Sequence, residues 1–506
     1  MSLPAAFTRW GRWATGLVGL LLPLTFAPFN WYLLAFPLLA TFIFLCDGCR
    51  PAEAAWRGFW FGFAAFSVGT TWLYTSIHVF GGAPVIVTAG LMLALFCLMA
   101  SYTALAGAFA ATVSVVAPAL RWCLIWPALF TLFEWLRGFL FTGFPWLTLG
   151  YGQIDGPLAA WAPIVGVHGV SFITVMLAGG LLTLIRGESI ARIAAISLLV
   201  VLSGSTVAIQ KIQWSGPVGD EVRVSMVQGS ISQDLKWLPE QLRPTLELYS
   251  RLTFAQDADL IIWPEVAVPA LAYQVQEFLD VVAAEASARD QQIYLGILTF
   301  DSDRQQYRNS LIGLGRYTDK YHKRHLVPFG EFFPVPDFAR RWMRSAGLPN
   351  EDTLSGSDEQ APLQLGEVLL APTICYEDAY GAEQLGFLPA SNILINVSND
   401  AWFGDSIAPH QHLQIARMRA LETGRFMLRA TNTGITAIIS PRGEVVARSP
   451  QFETHVLNGV VQPYTGATPY VRFGNWPVLL ICLVLLICVA GIRFLPLVYP
   501  CGPSQR

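Results

Sequence analysis

The sequence predicts a polytopic α-helical membrane domain of about eight spans joined to an α/β layered domain. Three observations carry that prediction. Hydrophobic residues make up 54% of the 506 and charged residues 13%, where roughly 25% charged is typical of soluble domains. Mean hydropathy is +0.47. Charge is also unevenly placed: residues 1–210 hold thirteen charged side chains and no Lys, and all four Lys (Lys211, Lys236, Lys320, Lys323) fall between 211 and 323. A wholly soluble protein is excluded, and so is a disordered one, which needs low hydrophobicity and high net charge. A net charge of -3 and a pI near 6.2 give no basis for a nucleic-acid partner. Eight Cys in a chain this long do not make a disulfide scaffold.

The chain divides into an apolar front (1–210), a polar middle (211–474) and an apolar tail (475–506). A bilayer core needs roughly 20 mostly apolar residues per helix. Eight segments qualify as spans: 13–28, 31–46, 58–79, 84–110, 119–136, 163–185, 193–210 and 476–495. Arg9 and Arg12 before the first apolar run imitate a signal peptide, but the next apolar segment follows within a few residues, so the run reads as an uncleaved span. With the N-terminus inside, nine Arg flank the inner ends, against Arg137, Lys211 and Arg472 at the outer ends. That bias places both termini in the cytoplasm and the polar middle outside it.

Glu134 and Arg137, at i,i+3 near the outer end of the fifth span, read either as an interfacial pair or as a functional site, the default for ionisable residues at membrane depth. Cys46-Asp47-Gly48-Cys49 has the C-x-x-C spacing, but without a second pair it does not read as a zinc or redox motif.

From about 221 short apolar runs alternate with amphipathic stretches. Strands are predicted at 221–228, 258–264, 291–300, 308–315, 367–375, 392–398, 425–431, 434–440 and 454–461, and helices at 239–256, 273–289, 379–388 and 409–423. Strand–helix alternation followed by strand pairs predicts α/β layers around one core.

Cys375 is the only Cys of this domain. It ends an apolar strand and precedes Tyr376-Glu377-Asp378, where an α/β fold presents nucleophiles and a helix N-terminus favours a thiolate. A lone Cys is more often structural. The flanking acids and a place outside the cytoplasm, where an unpaired thiol needs a reason, weigh against that here. Glu265 ends Trp263-Pro264-Glu265 at a strand end, and Lys323 lies in Tyr321-His322-Lys323-Arg324-His325-Leu326-Val327-Pro328-Phe329-Gly330-Glu331. Taken singly, these are a turn carboxylate and an exposed basic loop.

Together the three segments resemble the Glu–Lys–Cys triad of the nitrilase superfamily, in its order and 58 and 52 residues apart. Asn396–Gly404 and Ser440–Glu444 look like later strands and turns of that superfamily. The resemblance implies a nitrilase-like α-β-β-α sandwich. Seven spans, such a domain and one more span resemble the apolipoprotein N-acyltransferase family, as do Glu134-Trp135-Leu136-Arg137-Gly138 and Gly143-Phe144-Pro145-Trp146.

That resemblance implies a bacterial inner-membrane enzyme with its catalytic domain in the periplasm. Its acyl donor would be a phospholipid and its acceptor a diacylated apolipoprotein, with a Cys375 thioester between them. Glu265 would be the general base, Lys323 the oxyanion stabiliser with backbone N–H groups near Tyr376, and no metal or organic cofactor would be needed. Glu331 would orient Lys323, Glu377 would position the thiol or the acceptor amine, and Trp237 matches another functional family position. The triad alone also fits a membrane-tethered amidase acting on a small soluble substrate, or a transporter or scaffold with a degenerate hydrolase domain. Intact Glu265, Lys323 and Cys375 argue against the degenerate reading. Eight spans exceed what a tether requires, which favours a lipid substrate. Phe332, Phe333, Pro334, Val335, Pro336, Phe338, Trp342 and Met343, interleaved with Arg340, Arg341 and Arg344, suit an interfacial lid. His410 and His412 lack a nearby ligand cluster in sequence, so a metal site is not expected there.

Overall fold

The computed structural model describes residues 5–113, 116–338, 340–341 and 352–494. Seven helices come first: α1 Ala5–Leu21, α2 Ala35–Cys46, α3 Pro51–Gly69, α4 Val85–Thr112, α5 Trp126–Arg137, α6 Ala162–Arg186 and α7 Ser189–Ile209. Among the described residues, four stretches are long and apolar enough to cross a membrane: Val85–Thr112, Pro118–Arg137, Pro157–Arg186 and Ser189–Ile209. The expected spans 13–28 and 58–79 are cut differently. α1 stops at Leu21 because Pro23 follows, and Pro removes a donor and fixes φ. α3 starts earlier, at Pro51, and ends at Gly69 before a separate wide turn at Thr75–Phe80.

Glu134 and Arg137 are both buried. Glu134 Oε1 accepts from the Leu149 N–H at 2.8 Å, and Arg137 Nη1 donates to the Trp146 carbonyl at 2.6 Å. The pair therefore fastens the loop after α5 as well as facing each other at 3.7 Å.

The polar middle builds two facing sheets. β1 Ser215–Pro217 pairs with β15 Tyr464–Gly466 as a small ribbon. The first large sheet holds β2 Val222–Gln228, β3 Leu260–Ile262, β4 Val268–Leu271, β5 Gln292–Asp301, β6 Gln306–Leu314, β7 Lys320–His322 and β14 His455–Val461, ordered β14-β2-β3-β5-β6-β7 with β4 beside β5. The second is β13-β12-β11-β10-β9-β8: β8 Leu363–Leu365, β9 Val368–Ile374, β10 Ile393–Ser398, β11 Phe426–Thr431, β12 Ala437–Ile439 and β13 Val445–Arg448. Strands β9, β10 and β11 run parallel and are buried on both faces, which is why they read as unbroken apolar runs.

Met226, Ile262 and Leu311 of the first sheet share one core with Leu370, Ile395 and Leu428 of the second. Outside the first sheet lie α8 Pro239–Phe254 and α9 Gln276–Ala288, packed on Ile261, Trp263 and Ile293. The predicted helix 379–388 is not formed as such. Gly381 and Gly386 weaken it, and only α10 Gly381–Gln384 survives between tight turns.

Outside the second sheet lies α11 Ala408–Thr423, buried at 14 of its 16 residues. It is polar yet buried because its other face meets the membrane helices. Gln411 accepts from Trp146 Nε1 at 2.7 Å and donates to the Gly69 carbonyl at 3.1 Å. Glu422 accepts from the Val167 N–H at 2.5 Å, a donor freed where Gly166, at φ 64°, breaks the turn of α6. After α12 Pro469–Phe473, α13 Trp476–Phe494 closes the described chain.

Candidate active site

Three loops at strand ends meet above the sheets. Glu265 leaves β3 in a tight turn and is 6% exposed. Its Oε1 accepts from Asn309 Nδ2 at 2.8 Å and from Lys323 Nζ at 3.3 Å, and its Oε2 accepts from the Asn399 N–H at 2.9 Å. Lys323 follows β7, 1% exposed, with Nζ 2.9 Å from each oxygen of Glu331. Burial would drive its proton off, but Glu331 and Glu265 outweigh burial and hold the ammonium well above the ordinary lysine range. Glu331 is fixed in turn by the Val327 N–H at 2.8 Å.

Cys375 sits at the turn between β9 and a five-residue helical turn, with φ 57°. That left-handed backbone costs an L-residue about 1–2 kcal/mol. Asn396 Nδ2 donates to the Cys375 carbonyl at 2.9 Å, and the Ser398 hydroxyl, beside the thiol, donates to Asp400 Oδ1 at 2.8 Å. The expected bias toward thiolate is overturned. Burial and the nearby Glu265 carboxylate push the thiol well above its ordinary range, and Lys323 and Ser398 only partly offset them. The thiol therefore holds its proton at neutral pH.

Glu377 has no room to hold a ligand. One oxygen accepts from the Arg324 and His325 N–H groups at 2.6 and 3.0 Å, the other from the Ile374 N–H at 2.7 Å, and Tyr321 donates to both. It ties the lysine loop to the cysteine turn. The Tyr376 hydroxyl donates to the Leu326 carbonyl at 3.2 Å. Trp237 is 50% exposed, whereas its neighbour Lys236 is 1% exposed.

Under the cysteine turn lies a second cluster, all of it fully buried. His412 bonds Asp400 through Nδ1 and Asp378 through Nε2, both at 3.0 Å, and Arg429 reaches Asp400 at 2.8 Å and Asp378 at 3.4 Å. Arg429 Nη1 also donates to Asn396 Oδ1 at 2.6 Å, so the cluster supports the residue that holds the Cys375 carbonyl. Both ring nitrogens of His412 face carboxylates, and Nδ1 also lies 2.9 Å from Arg429 Nη2.

Of the lid segment, Phe333 is buried, Phe338 is exposed, and Arg340 pairs with Asp352 at 3.0 Å. Trp342, Met343 and Arg344 lie outside the described residues. Asn309, Asn396, Asn399, Ser398 and Lys236 were not singled out by sequence.

Residues 223–470 match the carbon-nitrogen hydrolase family, and residues 18–180 match the apolipoprotein N-acyltransferase N-terminal domain. A carboxylate, an ammonium and a thiol at strand ends of an α-β-β-α sandwich thus belong to a carbon-nitrogen hydrolase domain carried by a membrane protein. The Methylococcus capsulatus protein named apolipoprotein N-acyltransferase is 43% identical over 482 residues, 94% of this chain and 95% of the relative. Its namesake from Coxiella burnetii is 39% identical over 474 residues, 93% and 98% of the two chains. This chain belongs to the apolipoprotein N-acyltransferase family. The solved Saccharomyces cerevisiae Nit3, a member of branch 10 of the nitrilase superfamily, aligns with 56% of this chain and 97% of its own at 16% identity and a TM-score of 0.36, too weak a likeness to argue from.

Proposed function

We propose that the chain is a membrane acyltransferase that moves an acyl chain from a phospholipid to the N-terminal amine of an apolipoprotein's S-diacylglyceryl-cysteine, the last step of bacterial lipoprotein maturation. Kinship with proteins of that name along nearly the whole chain supports the reaction. One observation carries the chemistry: Glu265 accepts from Lys323, and the fields of both reach the protonated thiol of Cys375.

In this reading Glu265 takes the thiol proton as Sγ attacks the donor ester carbonyl. Lys323 and the Tyr376 N–H stabilise the tetrahedral oxyanion. The intermediate collapses to a thioester, and Glu265 returns the proton to the departing lysophospholipid alkoxide. In the second half the acceptor amine attacks the thioester and gives its proton to Glu265. The thiolate leaves and takes that proton back. Glu331 orients Lys323, and Glu377 positions the cysteine turn. Trp237, half exposed, and the aromatic residues of 332–338 are the side chains offered to lipid.

In the same reading 1–210 and 475–506 form the membrane domain of about eight spans in the inner membrane. Residues 211–474 are the catalytic domain, facing the periplasm with both termini in the cytoplasm. The Arg bias of the flanks supports this orientation. Reporter fusions at Gly216 and at the C-terminus should report opposite sides, and a shared side would overturn the span count.

The deciding experiment is intact-mass measurement after exposure to phospholipid alone. An added acyl mass on the Cys375 peptide, removed by neutral hydroxylamine and discharged by a diacylated lipopeptide, is the expected result. No covalent species, with turnover requiring both substrates together, would refute the two-step route.

A further inference from the structure

Two lysines lie buried at the site, and only one has a partner. Lys323 is held by Glu265 and Glu331. Lys236 is equally buried, at 1% exposure, yet its ammonium makes no hydrogen bond or ion pair among the described residues. It is carried by the turn after β2, closed by its own N–H donating to the Ser232 carbonyl at 3.0 Å. That turn is tied to the floor of the site. Asn399 Nδ2 donates to Gln233 Oε1 at 2.8 Å, and the Ile231 N–H donates to Asn432 Oδ1 at 3.0 Å. Asn432 Nδ2 then donates to Asn399 Oδ1 at 3.1 Å.

The same Asn399 holds Glu265 Oε2 through its backbone N–H. The turn that carries Lys236 is thus tied through Asn399 to the group that holds Glu265 Oε2, while Lys323 holds Oε1. Glu265 acts on Lys236 through its field, but its own oxygens are already filled by Asn309, Lys323 and Asn399.

An ammonium almost wholly withdrawn from water without a counter-ion is costly to hold. Burial shows the strain, lowering the amine to about 8, so it still carries its proton at neutral pH. Such a group is completed by an anion brought in by the ligand. The reaction proposed above offers few. The acyl ester is neutral, and the acceptor terminus is an amine that a buried cation repels. A glycerophospholipid carries one obligatory anion, its phosphodiester, on the same glycerol as the ester that Cys375 would attack.

We infer that the Lys236 ammonium binds the phosphodiester of the donor phospholipid and so sets the ester over Cys375. This assignment rests on the acyl-transfer reading, and it makes Lys236 a binding residue with no part in proton transfer.

The test compares two lysolipids with the same acyl chain: a lysophospholipid and the phosphate-free monoacylglycerol. Their binding to purified full-length protein is followed by tryptophan fluorescence. A hydrogen-bonded charge pair is worth roughly tenfold or more in affinity. Wild type should prefer the lysophospholipid by about that factor. Lys236→Met should erase the preference while binding monoacylglycerol as wild type does, and Lys236→Arg should restore part of it.

Equal affinities in wild type, a preserved preference in Lys236→Met, or equal weakening of both ligands would overturn the assignment. Inorganic phosphate should not displace the lysophospholipid at matched concentration, and if it does the site is a general anion site. Thioester loading of wild type from phospholipid is measured in parallel. Failure there sinks the acyl-transfer reading and leaves the binding ratio readable on its own.

Discussion

Two buried charge clusters flank Cys375, and they differ in what they leave unfinished. In the rear cluster Asp378, Asp400, His412 and Arg429 are fully buried and both acids are bridged by both cations. In the front cluster Lys323 is locked between two carboxylates, but the thiol keeps its proton and, among the described residues, Lys236 has no counter-ion. Burial is nearly the same in both, so burial does not separate scaffold from chemistry. The rear cluster is electrostatically closed and can only hold shape. The front sets a protonated thiol beside a carboxylate and holds an ammonium that, among the described residues, has no counter-ion.

The largest expected effect breaks the front cluster at its centre. Cys375→Ala should carry no acyl label after phospholipid exposure and show no transfer activity. The same label on that variant, read by peptide mass, would move the nucleophile elsewhere. Next comes Glu265→Gln, which keeps the hydrogen bond from Lys323 and loses the base. General acid–base catalysis is typically worth about 10²–10⁴-fold. With one carboxylate serving both halves, loading and transfer should both fall toward the upper end. A loss of only a few-fold in single-turnover loading would remove Glu265 from proton transfer.

Asp400→Asn strikes the rear cluster instead. Arg429 and His412 hold Asp400 below the usual carboxylate range against its burial. Removing one partner of a buried pair typically costs about 3–5 kcal/mol. A lowered unfolding temperature with near-normal loading per folded molecule is the expected pattern. Normal stability with lost loading would place Asp400 in the front cluster's chemistry.

What the sequence could show follows the same division. Glu265, Lys323, Cys375, Glu331 and Glu377 stand in short runs of unusual residues, so their positions were legible. Asn309, Asn396 and Asn399 were not, because an amide carries no local signature and their partners lie 44, 21 and 134 residues away. His412 looked like half of a histidine pair, but its true partners are acids 12 and 34 residues off. In Asp234-Leu235-Lys236-Trp237 the aromatic is the residue that stands out in the sequence. The turn exposes the Trp and buries the Lys, and it is held by Asn399 and Asn432, which lie just past the ends of β10 and β11. Apolar runs located the membrane helices, but hydropathy does not mark where helical geometry stops. Pro23 and Gly69 did that.

The smallest expected effect is a pH slope that separates the clusters. Burial and Arg429 push His412 toward neutrality, and Asp378 and Asp400 outweigh them, raising it to about 9 from 6.5. A raised histidine contributes stability in full below pH 6.5 and loses it as pH climbs through about 9. Lys236 has the opposite sign. Its lowered value is a penalty present below about 8 and relieved only as pH rises beyond that. Glu422, raised by burial to about 7, has imposed most of its penalty by then. Between pH 7 and 8 the slope therefore belongs to His412, and one proton corresponds to about 1.4 kcal/mol per pH unit. The unfolding temperature in detergent should fall by about 1–3 °C across that unit. His412→Gln should flatten the slope, and Glu265→Gln should leave it intact. A flat wild-type profile would mean that the imidazole is already neutral at pH 7 and that Arg429 alone closes the rear cluster.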